Sequence, residues 1–277
     1  MIQIKQLDDL QQIQALKEAY LRRLVFPMDS YWKSAFVGQA PHWQIEVDGQ
    51  QAGYFAARLD KRLVQFYVTD PFLAAASELF SFVVKRELVE CASAGTFEPA
   101  YLSHCLDHQR RVEIRSYLFE DHKRVEPLLN NYPSAQFRLA SPADAEKLAA
   151  FYGQNDEYED VEAITIGFGD RLNYARALID QGQVYLLVNN NELIGVGECR
   201  ISAGQAPYAD LGMITGKKHR RQGIGLYILA MLKQECYQRS AKPICSCAAD
   251  NLPSRKTIEK AGFITQHRLL DIQFSEP

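Results

Sequence analysis

One stretch of this sequence concentrates groups able to hold an anion. Residues Thr215-Gly216-Lys217-Lys218-His219-Arg220-Arg221-Gln222-Gly223-Ile224-Gly225 join a strand-like run to a strongly apolar, helix-like one. Gly223 and Gly225 let the backbone pass close to a ligand and expose successive amide N–H groups. Those donors fall at a helix N-terminus, where the helix dipole adds partial positive charge. Lys217, Lys218, Arg220 and Arg221 crowd the same turn. The combination suits a pyrophosphate. It is not a nucleoside-triphosphate loop, which needs G-x-x-x-x-G-K followed by Ser or Thr. Nor is it the G-x-G-x-x-G that opens the βαβ unit of a dinucleotide fold.

Such a loop works only if a strand and a helix hold its ends, and the flanking pattern predicts both. Residues 136–139 read as a strand, and Ser141-Pro142 as the N-cap and first position of an amphipathic helix to about Gln154. A second helix spans about 171–181 and stops at Gly182. Strands 184–188 and 192–202 form a hairpin across Asn189-Asn190-Asn191, and 208–215 is a further strand. After the loop come a helix over about 224–239, a strand over 243–248, a helix over 252–261 and closing strand structure over 263–274.

The first half repeats this order. It reads as strand 2–4, a helix from Asp8 to about Leu24, a second helix from about Asp29, and a hairpin of 42–47 with 51–59 across Asp48-Gly49. Strand 63–69, a helix over 71–86 opened by Pro71, strand 88–94, helix 98–108 and strand 111–119 complete it. Gly53 lines up with Gly195, Val68-Thr69 with Ile214-Thr215, and Cys91 with Cys245, as an internal duplication would give. The polar, proline-containing run EPLLNNYPS, Glu126 to Ser134, marks the join. The expected organisation is a first domain over 1–125, a linker over 126–135 and a second domain over 136–277. The fold class is α+β, each domain a mixed, mainly antiparallel sheet flanked by helices.

At the basic loop the sequence resembles the GNAT superfamily of acetyl-coenzyme-A-dependent N-acyltransferases. The family signature Gln/Arg-x-x-Gly-x-Gly/Ala stands here as Arg220-Arg221-Gln222-Gly223-Ile224-Gly225. A second block follows at the expected distance, Asn251-Leu252-Pro253-Ser254, a short helix, then Gly262-Phe263. The resemblance covers about 136–274 by motif and the first half by architecture alone. It implies two tandem GNAT-like domains with a degenerate N-terminal copy, and acetyl-CoA as the acyl donor. Arg220 and the backbone N–H groups around Arg221, Gln222, Gly223, Ile224 and Gly225 would bind the pyrophosphate. Met213, Ile214 and Thr215 would hydrogen-bond the pantetheine arm as if it were an added strand. Asn251 and Ser254 would contact the arm or the phosphates.

The implied chemistry sets further requirements. A primary amine, with a pKa of about 10.4, arrives protonated at neutral pH, so a base must take its proton. The candidates are Asp210 and Glu198, on neighbouring predicted strands. Asp210 equally suits capping a turn after Tyr208-Ala209, and Glu198 a solvent-facing position. A backbone donor near Met213 to Thr215 would stabilise the oxyanion. Many family members carry a tyrosine acid where this chain has Ile258. Ser254, Cys247, Tyr227, water or direct thiolate release would replace it. The equivalent first-half loop, Thr69-Asp70-Pro71-Phe72, lacks the glycine pair and presents an acid, and Pro71 removes an N–H donor. That half is expected to shape the acceptor cleft or a partner surface.

Composition narrows the alternatives. Hydrophobic residues make up 47% and charged residues 23% of the 277 residues, an ordinary globular balance. Lysine plus arginine total 31 against 34 acids, a net charge of −3, which gives no bulk attraction to nucleic acid. That charge weighs against a Fem-like transferase of amino acids from charged tRNA. A non-catalytic acyl-CoA-binding module stays open, as do a small-molecule or peptide amine acceptor and the oligomeric state. The longest apolar run of note, Leu226 to Leu232, is too short for a membrane span, which needs about 20 residues. Six cysteines without an export signal point to reduced thiols in a cytoplasm. Cys245 and Cys247, and His104 with His108, lack the further ligands that a metal site requires, so none is expected. Phe66, Tyr67, Phe72, Phe80 and Phe82 read as core packing between a strand and a helix.

Overall fold

Left-handed turn residues and side-chain caps place most of the boundaries. Asp48 and Gly49, with φ of 50° and 79°, close one hairpin, and Asn190 and Asn191, with φ of 46° and 66°, close another. Both are two-residue turns in which positive φ matches the strand twist. Asp144 accepts from the Ser141 backbone N–H and hydroxyl, each at 2.8 Å, and takes a two-pronged bond from Arg138 at 2.7 and 2.8 Å. Those donors hold the Asp144 carboxyl well below its usual range, Arg138 contributing most.

The computed structural model describes residues 1–155, 170–201 and 203–275. By contacts the chain divides into two units, Met1–Tyr117 with His267–Pro277, and Leu118–Gln266. The packed units therefore differ from the segments 1–125 and 136–277: residues 118–125 go with the second and the chain's last stretch with the first.

In the first unit, β1 (Ile2–Leu7), β2 (His42–Val47), β3 (Gln50–Ala57) and β4 (Arg62–Val68) pair antiparallel in sequence. β5 (Cys91–Gly95) joins β4 in parallel. Its helices are α1 (Gln14–Arg23), α2 (Ala76–Val84) and α3 (Pro99–Asp107). A long strand, β6 (Gln109–Asp121), leaves this unit for the next.

The second unit repeats the plan. β7 (Gln136–Leu139), β8 (Val184–Asn189), β9 (Glu192–Ile201) and β10 (Tyr208–Thr215) pair antiparallel, and β11 (Lys242–Ala248) joins β10 in parallel. Its helices are α4 (Ala145–Asn155), α5 (Arg171–Asp180), α6 (Ile224–Gln238) and α7 (Leu252–Lys260). β12 (Phe263–Phe274) starts here, and its later part pairs antiparallel with β5 of the first unit's sheet.

The expected elements are present, with local departures. Asp9 rather than Asp8 is the first cap, and a 3-10 turn, Leu10–Ile13, precedes α1. The expected helix after Asp29 is a π-helical turn, Trp32–Val37, opened by the Asp29 carboxylate on the Trp32 N–H at 2.7 Å. A 3-10 turn, Asp70–Ala75, takes the start of the helix expected from Pro71. β5 begins only at Cys91, because Arg86 to Val89 close a turn. The end of the expected strand at Ser202 lies outside the described residues.

Candidate functional site

The second unit's parallel pair does not stay together. β10 and β11 register at Tyr208 with Lys242, Ala209 with Pro243 and Asp210 with Ile244, and the ladder ends there. β10 runs on to Thr215, laddered on its other side by β9 as far as Gly195. The edge of β10 from Leu211 to Thr215 is therefore not laddered by β11 and presents backbone donors and acceptors to a fork. α6 lies against β9 because Gly197 has no side chain; a Cβ there would come 2.8 Å from Ile228 and 3.0 Å from Leu232. The first turn of α6 presses on the end of β10: a Cβ at Gly225 would lie 3.1 Å from Met213 Sδ and 3.4 Å from Thr215 Oγ1.

The basic turn spans the mouth of this fork. Gly223 caps α6 at φ 84°, a left-handed conformation that side chains resist, and a Cβ there would meet nothing within 4 Å. Arg220, Arg221, Gln222 and Gly223 are exposed, as are Lys217 and Lys218. The turn is tethered from beneath by residues that the sequence did not flag. Asn155, at the end of α4, accepts the Lys217 N–H at 2.7 Å, and Gly216 N–H bonds Ile194 O at 3.0 Å. The His219 ring bridges Tyr132 Oη at 2.9 Å and Glu192 at 3.0 Å. Its hydrogen bond holds the Glu192 carboxyl below the usual range. Tyr132 Oη also donates to Gln222 Oε1 at 2.8 Å, so the segment expected to be a linker braces the turn.

Beside the fork is a buried charge cluster. Glu198 and Asp210 are 7% and 4% exposed and share the Arg200 guanidinium, which reaches Asp210 at 3.3 Å and also bonds Glu198. The lack of a side chain at Gly212 makes room: a Cβ there would lie 3.3 and 3.4 Å from the two terminal nitrogens of the Arg200 guanidinium. Tyr152 and Tyr174 hydroxyls donate to Glu198 at 2.7 and 3.4 Å. Burial disfavours the Arg200 cation, but Asp210 and then Glu198 overcome it and raise its pKa further. Burial first, and Glu198 second, push both tyrosine hydroxyls up, so they act as donors.

Comparison with known proteins places this geometry. Residues 9–122 match a family model described as acetyltransferase (GNAT) domain, and residues 146–263 match one described as acetyltransferase (GNAT) family. The chain is a tandem member of the GNAT superfamily. An acetyltransferase from the GNAT family of Colwellia psychrerythraea has a similar structure: 25% identity, TM-score 0.87, covering 99% of this chain and 100% of that one. A tandem GNAT protein from the clavulanic acid biosynthesis pathway matches in fold at TM-score 0.61 and 12% identity, covering 100% of this chain and 99% of that one. A GCN5-related N-acetyltransferase from Sphaerobacter thermophilus does so at 0.56 and 15%, covering 100% and 96%. No curated protein matches the sequence.

Within this GNAT domain the expected site residues sort by position. Met213, Thr215, Gly225 and the turn from Arg220 to Gly223 come together around the fork, while Ile214 packs into the core on α4 and α5. Ile224 is buried beneath the turn, so only its backbone can serve. Asn251 caps α7, its Oδ1 accepting the Ser254 N–H at 3.1 Å, so that oxygen is committed within the protein. Ile258 is 2% exposed, which closes the usual tyrosine position with a core side chain. Tyr227 packs edge-on against Phe137 of β7, three strands from β10. Burial pushes the Cys247 thiol up to about 11. Glu198 does not face solvent, and Asp210 is the last laddered residue before the fork. In the first unit His104 and His108 both lie against the ring of Phe80, each at 5.5 Å. Among the described residues no helix is long and apolar enough to cross a membrane.

Proposed function

We propose that the second GNAT domain moves an acetyl group from acetyl-CoA to an amine by direct attack. The observation that carries this reading is the fork: β10 parts from β11 at Asp210 and runs directly into an exposed basic turn. The residues present fit the donor. Arg220 and the turn N–H groups to Gly225 would hold its pyrophosphate, and the edge from Met213 to Thr215 its amide-bearing arm. Bound acetyl-CoA supplies a thioester carbonyl open to attack by an amine.

The chain's own groups handle the proton. Glu198 already accepts from Arg200, Tyr152 and Tyr174, so it anchors the cluster. Asp210, at the apex of the fork, takes the amine's proton directly or through water. The buried Ile258 favours release of the donor's thiolate without a tyrosine acid.

Calorimetric titration with acetyl-CoA, alongside Gly223→Glu, is the test. The side chain would put a negative charge into the cradle, so binding should fall below detection. Unchanged binding would place the phosphate site elsewhere. An amine screen read by thiol release then separates transfer from the runner-up, acyl-CoA binding without turnover. The buried Ile258 and the Arg200-bound carboxylates are what favour that second reading.

A further inference from the structure

The first unit contains a fork of its own. β4 and β5 register only at Arg62 with Cys91 and Leu63 with Ala92, while β4 continues to Val68. A cavity of about 290 Å³ lies beside the parted strand, reached by α1, α2 and α3. Its turn bears Asp70-Pro71 in place of a glycine pair, so a pyrophosphate has no cradle there. The walls are aromatic: Tyr20, Phe66, Tyr67, Tyr101 and His104. Arg23, Leu73, Pro99 and Ala100 are exposed lining residues and form the rim.

One acid is set among these rings. Glu98 is 3% exposed; its Oε1 accepts the Gly95 N–H at 2.6 Å and its Oε2 the Tyr20 hydroxyl. The cation at the rim is already engaged, because Arg23 donates to Val68 O at 3.0 Å, pairs with Asp70 and lies over the Tyr67 ring. A carboxyl in an aromatic-walled cavity, with the nearby guanidinium neutralised, suits an organic cation: the rings attract its charge and the carboxylate pairs with it. We propose that this cavity is a second small-molecule site, for a compact aromatic or branched amine seated with its ammonium on Glu98. It stands independently of the reading given to the second unit.

The titratable groups around Glu98 are Tyr20 and Arg23 of α1, Tyr54 of β3, Tyr67 of β4, and Tyr101, His104 and Cys105 of α3, the Cys105 thiol being pushed well up by burial. Burial pushes the hydroxyls of Tyr20, Tyr54 and Tyr101 up and the His104 imidazole down, so these four stay neutral near pH 7. Burial also pushes Glu98 up to about 8, against the Tyr20 and Gly95 hydrogen bonds, so it is protonated until a cation arrives. Amine binding at pH 7 therefore releases a proton.

Both tryptophans, Trp32 and Trp43, lie in the first unit, so their fluorescence during thermal unfolding reports that unit. With the full chain, 2-phenylethylamine should raise this midpoint and bind about tenfold more tightly than its neutral and anionic counterparts, 2-phenylethanol and 3-phenylpropionate. Calorimetry in buffers of different ionisation enthalpy should show the proton release. Glu98→Gln should erase both the preference and the proton release, and Ala100→Trp at the rim should block all three compounds. Equal binding of the three, no binding of any, or an amine preference that survives in Glu98→Gln would overturn the proposal.

Discussion

Replacing Asp210 by asparagine keeps an acceptor beside Arg200 but removes the group able to take a proton. Turnover with acetyl-CoA and an accepted amine should fall about 100-fold or more, while the calorimetric Kd for acetyl-CoA stays within about twofold. A rate unchanged across pH would remove Asp210 as the base. Arg200 is the opposite case. Arg200→Met would leave Glu198 and Asp210 buried without their shared cation, a loss of about 3–5 kcal/mol in unfolding free energy, measurable by denaturant titration. A small loss would mean that the carboxylates find water or share a proton instead. The buried positions of both acids depend on strand register, which pairs Arg200 with Asp210 and Glu198 with Gly212 across β9 and β10. The residue types were legible as proton acceptors from the sequence. Their common guanidinium was not, because cross-strand register is a tertiary fact.

At the scale of elements, the cradle is a strand end, a turn and a helix start, and its rigidity comes from outside those three pieces. Tyr132 links His219 to Gln222 from a stretch with no regular structure. Tyr132→Phe removes those bonds and keeps the ring. It should weaken acetyl-CoA binding by about three- to tenfold, the worth of one or two hydrogen bonds, with a thermal midpoint close to that of the parent. An unaltered Kd would show that the turn holds its shape unaided. Gly223 and Gly225 stood out in the sequence because they complete one of two motif blocks at matched spacing, the other running from Asn251 to Phe263; a glycine pair alone would equally suit a capped solvent turn. Tyr132, Asn155 and Glu192 did not, since each lies far along the chain from the turn that it supports.

At the scale of the molecule, the same element order serves two units with different electrostatics. In the second, the cluster beside the fork is ionic; in the first, Glu98 is pushed up to about 8, from an ordinary 4.5, chiefly by burial. The folded first unit therefore holds a proton that the unfolded chain gives up. Its stabilisation is complete below about pH 4.5 and is lost as pH rises toward 8. His42 works in the other direction. Burial, helped by Lys17, lowers it to about 4, so its share of stability is present above the ordinary 6.5 and is lost as pH falls toward 4. Glu98→Gln should flatten the decline between pH 5 and 8, a change on the order of a few kcal/mol, in the tryptophan-reported unfolding free energy. A parallel decline in parent and variant would assign it to other groups.

Periodicity, capping residues and turn glycines were enough to lay out the element order of both halves, because each acts within a few residues of itself. The pairing of Asp48 with Gly49 and of Asn190 with Asn191, the Ser141 cap and the basic turn before Ile224 are of this kind. The α+β class and the tandem arrangement follow from repeating that local grammar twice. Three things waited for tertiary structure: the point where β10 parts from β11, the exclusion of Ile258 from the site, and the exchange of chain ends between the packed units. Each depends on which distant strand lies alongside and on how much apolar surface the pairing buries. Those are sums over contacts far apart in sequence, and no window along the chain contains them.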